Sequence, residues 1–174
     1  MIKSKPLPPL ERLQQLFDVD TSGLLLYRQK AHPCSRRKIG DEAGYLDREG
    51  YRKVFIDGGR YFAHRIVWFL SYGEDPGDMQ VDHVNMIKDD NRLSNLRLCN
   101  NSQNCLNVKL KPTNTSGIRG VCFSPKGRKK HWRAFYRRKS LGWFATREEA
   151  ANAVADAVGK CGDKDFYRKG ADAS

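Results

Sequence analysis

No apolar run in this chain approaches the roughly 20 residues that a membrane helix needs. Its first residues, Met1-Ile2-Lys3-Ser4-Lys5-Pro6, lack the apolar stretch of a secretory signal. Both absences lead to the expectation of a soluble, cytoplasmic protein. Cysteine is sparse and poorly spaced for a scaffold. There are five, Cys34, Cys99, Cys105, Cys122 and Cys161, with no pair in the close spacing of a thiolate site. A disulfide framework and a four-thiolate zinc site are disfavoured, and the cysteines read as small packing residues. A zinc role for Cys99 and Cys105 is the weaker alternative. The most telling absence is of acid. Residues 108–147 hold 12 Lys/Arg and no Asp or Glu, whereas 1–107 hold 16 basic and 14 acidic residues and 148–174 hold 4 and 6. The net charge of +12 therefore arises from one block. An acid-free block of that length, interleaved with Phe123, Trp132, Phe135, Tyr136, Trp143 and Phe144, points to a folded surface for a polyanion such as nucleic acid.

What is present divides the 174 residues into two small domains. The spacing of Leu10, Leu13, Leu16 and Phe17 predicts a short helix, and Asp20 to Gly23 a turn before a strand at Leu24–Tyr27. Residues 51–56 and 59–62 read as strands joined by Asp57-Gly58, a strong hairpin signal. Ala63 to Tyr72 reads as a helix with Ile66, Val67, Phe69 and Leu70 on its apolar side, ended by Gly73. His64 opens it, as a packing or capping residue in preference to a DNA-backbone contact. Met79–His83 is a strand, 84–92 a polar loop, Leu96–Leu98 a returning strand, and a short helix from Asn100 or Asn101 carries Asn104. The segment 108–116 is a basic, breaker-rich linker. Beyond it lie three strands, Ile118–Phe123, Trp132–Arg137 and Leu141–Phe144, with turns at Ser124–Gly127 and around Lys139. A capping box at Thr146 and Glu149 starts a helix with Ala150, Val154, Ala157 and Val158 on one stripe. The fold class is α+β, and the domains are 1–107, the linker 108–116, and 117–174.

The chemistry lies in the polar stretch from Asp82 to Asn104. It holds a carboxylate (Asp82), an imidazole (His83) and carboxamides (Asn91, Asn95, Asn104) in a segment too poor in apolar residues to be core. An imidazole takes a proton from water near neutral pH. A carboxylate and an amide oxygen are hard donors suited to a magnesium-type ion. Together they can hydrolyse a phosphodiester. Side chains of neighbouring strand residues point to opposite faces, so the two jobs of Asp82 and His83 require the strand end to bend there. Asn85 and Asp89 read as turn formers.

Asp82-His83, Asn95 and Asn104, together with the preceding Ala63-His64-Arg65-Ile66-Val67-Trp68, resemble the histidine-asparagine-histidine (HNH) nuclease motif. The variant is that of phage homing endonucleases, with asparagine in the last position. Ile118-Arg119-Gly120-Val121, Trp132-Arg133-Ala134 and Leu141-Gly142-Trp143-Phe144-Ala145-Thr146-Arg147-Glu148-Glu149-Ala150-Ala151 resemble the DNA-binding domain of plant ethylene-response factors (the Apetala-type fold). The resemblances imply an N-terminal ββα-metal nuclease domain and a small C-terminal three-stranded antiparallel sheet packed on one helix. They imply that His83 is the general base, that Asp82 and Asn104 bind one divalent metal ion (Mg2+, with Mn2+ as substitute), and that Asn95 supports the catalytic loop. Arg119 and Arg137 match DNA-contacting positions. Cys122 and Ser124 replace arginines of that family and Ser140 replaces a tryptophan, so its sequence preference does not transfer.

Lys126, Arg128, Lys129 and Lys130 suit phosphate contacts, because flexible basic loops neutralise backbone better than they read bases. The strands carry Arg119, Arg133 and Arg137, while Glu148, Glu149 and Asp156 on the last helix would repel phosphate. The sheet is therefore the expected DNA face. Trp132 and Trp143 read as sheet or core residues rather than base stackers. The expected partner is double-stranded DNA, with no membrane, for a monomer or homodimer. The alternative is a non-catalytic DNA-binding regulator with a degenerate nuclease domain. An RNA-directed nuclease ranks lower, since no sheet-type RNA-binding motif is present.

Overall fold

The computed structural model describes residues 5–29, 36–108, 110–125 and 131–167. The chain forms two compact units, residues 1–101 and 102–174, each with its own apolar core.

In the first unit, α1 (Leu10–Leu16) leads directly into β1 (Phe17–Val19), which pairs antiparallel with β2 (Leu25–Tyr27). Phe17, expected to extend the helix, adopts an extended conformation at its end and buries its ring against Tyr27. A three-stranded sheet follows, of β3 (Tyr45–Leu46), β4 (Arg52–Ile56) and β5 (Gly59–Phe62), in the order β3-β4-β5. The hairpin turns at Asp57 and Gly58, both at positive φ, as that dipeptide favours. Val54 and Ile56 face inward while Phe55 between them faces solvent, the alternation a half-covered sheet demands. Helix α2 (Ala63–Tyr72) buries Ala63 to Val67 at its N-terminal end and stops at Gly73, a left-handed cap whose N–H donates to the Phe69 carbonyl. The ribbon β6 (Gln80–His83) and β7 (Leu96–Cys99) completes this unit, and α3 (Asn101–Asn104) begins at its last residue and continues into the second. Val81 and Leu96 join the core of Leu13, Leu16, Leu25, Val54 and Ile66. The ribbon is thereby anchored from one side.

The second unit is a three-stranded antiparallel sheet, β8 (Val121–Phe123), β9 (Trp132–Tyr136) and β10 (Lys139–Phe144), in the order β10-β9-β8, packed on α4 (Arg147–Lys160). Val121, Ala134 and Tyr136 meet Ala150, Val154 and Val158. The β9–β10 turn is made by Arg137 and Arg138, both at positive φ, so it closes before Lys139 rather than around it. Gly120 is required by close packing: a Cβ there would lie 2.4 Å from the Phe135 carbonyl oxygen, which accepts no such neighbour. The Thr146 cap forms as the sequence predicts, while the Glu149 side chain reaches one residue further back than the N-cap. The Glu149 N–H donates to Thr146 Oγ1 at 3.1 Å, and the Glu149 carboxylate accepts from the Ala145 N–H. No helix among the described residues is long and apolar enough to cross a membrane.

Thr146→Ala removes an acceptor at the start of α4, and the expected cost is about 1 kcal/mol. Urea unfolding followed by tryptophan fluorescence measures it.

Candidate active site and nucleic-acid face

The ladder of the β6–β7 ribbon runs unbroken through Gln80↔Cys99, Val81↔Leu98, Asp82↔Arg97 and His83↔Leu96. The expected bend at the strand end is therefore absent. The chain turns only after His83, where the Met86 N–H donates to the His83 carbonyl and Met86 takes positive φ. Asp82 and His83 consequently project to opposite faces of the ribbon. Asp82 is part-exposed and receives two bonds at Oδ2 from its cross-strand neighbour Arg97, at 3.0 and 2.8 Å. His83 is 4% exposed. Its Nε2 is 3.1 Å from the side-chain oxygen of Asn91, itself buried.

The loop between the two strands is held by side chains. Asn95 lies at the end of a 3-10 turn, Leu93–Asn95, and is buried. Its Oδ1 accepts the Asn85 N–H at 2.9 Å, its Nδ2 donates to the Asp90 carbonyl at 2.7 Å, and its carbonyl accepts the Val84 N–H. One carboxamide thus spans the loop. Asn85 accepts the Ile87 N–H and acts as the turn former expected of it. Asp89 also lies in a turn, closed by the Asp90 N–H on the Ile87 carbonyl, and its carboxylate is taken by Arg52 of β4 in a bidentate pair at 2.8 and 2.9 Å. Arg92, chiefly, and Asn85 hold the Asp90 carboxyl down at about 2, well below the ordinary carboxylate range. On another side Gly23 closes on the loop, since a Cβ there would lie 2.3 Å from the Arg92 nitrogen and 2.5 Å from the Asn91 carbonyl carbon. Only glycine permits that approach at a φ of +78°.

Behind His83 sits a cluster of rings. His64, the second residue of α2, meets His83 edge-on with centroids 5.0 Å apart, stacks on Phe62 and borders Tyr51. His64 is buried and makes no cap bond, so it packs. Its Nδ1 is buried without a hydrogen-bond partner. Burial, then the neighbouring His83 and Arg65, push the His64 imidazole down to about 3. The ring therefore stays neutral well below the pH at which a free imidazole takes its proton. Asn104 occupies the last position of α3 and is half-buried, with its carbonyl accepting the Asn107 N–H. Among the described residues no three His, Cys, Asp or Glu side chains converge on a metal position.

The basic unit treats its arginines differently from one another. Arg133 lies on the sheet face opposite α4, in register with Cys122 on one side and Trp143 on the other, with its guanidinium 5.9 Å from the Trp143 ring centre. Phe135 and Trp143 share that exposed face. Arg119 and Arg137 are not on strands. Arg119 precedes β8, its guanidinium donates to the Val108 carbonyl, and burial pulls its pKa down. Arg137 lies in the β9–β10 turn and pairs at 2.7 Å with Asp163, which is fully buried and also accepts from the Tyr136 hydroxyl. Burial, then Asp163, push the Tyr136 hydroxyl up to about 12. Lys126, Arg128, Lys129 and Lys130 lie outside the described residues. Three contributors carry no distinctive sequence signal: Asp163 in the basic unit, and Arg52 and Gly23 around the loop of the first unit. Asn91 was visible as a polar neighbour of the motif, and its bond to His83 was not.

Residues 61–106 match the model of a family described as HNH endonuclease. Over 78 residues the chain is 38% identical to an uncharacterized HNH endonuclease of Acanthamoeba polyphaga mimivirus, an alignment covering 44% of this chain and 41% of that protein. The chain thus spans about two-fifths of that relative's length. No solved structure matches. The ribbon, its loop and α3 lie within the matched residues.

The His64 shift has a pH consequence. An unfolded imidazole takes its proton near 6.5, the folded one only near 3. Stability is therefore unaffected above about pH 6.5 and falls as pH drops from there toward 3, because the unfolded state binds the extra proton. His64→Phe should flatten that slope in urea unfolding measured between pH 4 and 7, a range set by those two values.

Proposed function

We propose that this chain is a site-specific, metal-dependent DNA endonuclease of the homing kind, hydrolysing phosphodiester bonds to leave a 5′-phosphate and a 3′-hydroxyl. The observation that carries the reading is the His83–Asn91 pair on the ribbon of an HNH segment. Read as an Nε2–H donated to the Asn91 carboxamide oxygen, this pair leaves the basic lone pair of His83 on Nδ1. His83 is then the group that deprotonates the attacking water. In the DNA-free chain the ring is 4% exposed, and the bound phosphate brings the water within the 2.6–3.2 Å that proton transfer needs. Asn95 acts by holding the loop that presents Asn91.

Asp82 and, by the resemblance of its position, Asn104 would hold a divalent ion, Mg2+ or Mn2+. When bound, that ion supplies charge stabilisation for the phosphate and the leaving oxygen. Arg97 holds the Asp82 carboxylate on the face opposite His83.

The second unit is read as the DNA-targeting module, acting on double-stranded DNA. Arg133, Phe135 and Trp143 on the open sheet face support this, together with the acid-free charge of residues 108–147. Lys126, Arg128, Lys129 and Lys130 are assigned to phosphates. Arg119 and Arg137 keep a DNA role only through whatever part of each guanidinium its internal partner leaves exposed.

Cleavage of plasmid and genomic DNA with Mg2+ tests the reading. EDTA should abolish cutting, and His83→Ala should slow it by about 10²–10⁴-fold with DNA affinity unchanged. Tight DNA binding with no nicking at any site would sink it. Arg133→Ala should weaken binding and lower the slope of log affinity against log salt by about one, while the cutting rate at saturating DNA stays the same.

A further inference from the structure

The HNH match begins at residue 61, yet the loop that governs His83 is gripped from outside it. Arg52, on β4, is the grip. Its side chain is 13% exposed. Its guanidinium binds both oxygens of Asp89, at 2.8 and 2.9 Å, and also meets Glu42 at 3.0 Å. A planar guanidinium against a carboxylate in two parallel bonds fixes direction as well as distance. The Asp89 carbonyl in turn accepts the Asn91 N–H at 3.1 Å. Asn91 then holds His83 Nε2. Next to Asp89, Lys88 lies over the Tyr51 ring and donates to the Glu49 carbonyl, so the same stretch is tied to the sheet twice.

We propose that Arg52 is a positioning residue of the His83 site: its clamp on Asp89 sets the loop so that Asn91 fixes the orientation and tautomer of the imidazole. The proposal rests on the nuclease reading for its effect on rate. The clamp's effect on the ring stands apart from that reading. Without Arg52 the loop keeps its Asn95 staple but loses the hold on Asp89, whose carbonyl accepts the Asn91 N–H. The ring is then free to leave the one geometry in which Nδ1 meets the water, and a misplacement of about 1 Å can cost about 10²-fold.

The test compares full-length wild type, Arg52→Met, Arg52→Lys and Asp89→Asn. One arm measures single-turnover cutting, at saturating concentration, of a plasmid carrying a site mapped with the wild type. The other records the ring-nitrogen NMR signals of His83 without DNA. Arg52→Met should cut about 10- to 100-fold more slowly at unchanged DNA affinity. Its His83 ring should lose the single Nε2–H form. Arg52→Lys, able to restore one of the two bonds, should recover part of both. A folded Arg52→Met with wild-type rate and wild-type ring signals would overturn the proposal. Should that variant fail to fold, Asp89→Asn, at a more exposed position, answers the same question. If the wild type itself cuts no DNA, the nuclease reading fails, and the clamp is judged on the ring signals alone: unchanged signals overturn it, altered ones support it.

Discussion

The site depends on a buried carboxamide. Asn95 satisfies the Asn85 N–H, the Asp90 carbonyl and, through its own backbone, the Val84 N–H. A polar loop has no apolar mass with which to fix its shape, and its backbone groups must find partners wherever water is excluded. A side-chain amide, with one acceptor and two donors on one rigid plane, ties both limbs of the loop at once. Everything nearer the chemistry follows from that closure. The turn after His83 is held, Asn91 arrives at the imidazole, and Asp90 and Asp89 point outward to arginines that neutralise them.

The same economy of charge runs through the basic unit. Asp163 is fully buried, and it survives there because Tyr136, Arg137 and Gln103 all donate to it. A buried carboxylate without such partners would cost several kcal/mol, on the order of 3–5. Its presence converts Arg137 from a surface cation into part of the turn. Arg119 is likewise drawn inward to the Val108 carbonyl. The open face of the sheet is left to Arg133 and two aromatic rings. Counting cations in the sequence therefore overstates how many guanidiniums are directed outward.

Local patterns carried most of the architecture. The Asp57-Gly58 hairpin, the α2 helix with its Gly73 stop, the ribbon around the polar loop and the Thr146 capping box are all products of short-range chemistry, and each formed within a residue or two of its expected place. Strands β1 and β3 escaped notice. Each is two or three residues long and exists because a partner strand, β2 or β4, lies alongside. The bend assumed at Asp82-His83 failed for a similar reason. Cross-strand hydrogen bonding to Leu96 and Arg97 holds both residues in the ladder, and the turn moves to the next position with room for it.

The sequence by itself determined the inventory of this protein. It supplied a carboxylate, an imidazole and carboxamides within one short polar segment, an acid-free cationic block, and elements whose periodicity names their type. Periodicity and composition act over a few residues, so a single chain displays them directly. Only the tertiary structure decided which groups are spent on one another. The Arg52–Asp89 pair joins residues 37 positions apart, and Tyr136–Asp163 joins residues 27 apart. Contacts of that kind arise when a core forms and brings distant charges to the same low-dielectric place, where an unpartnered group is too costly to leave.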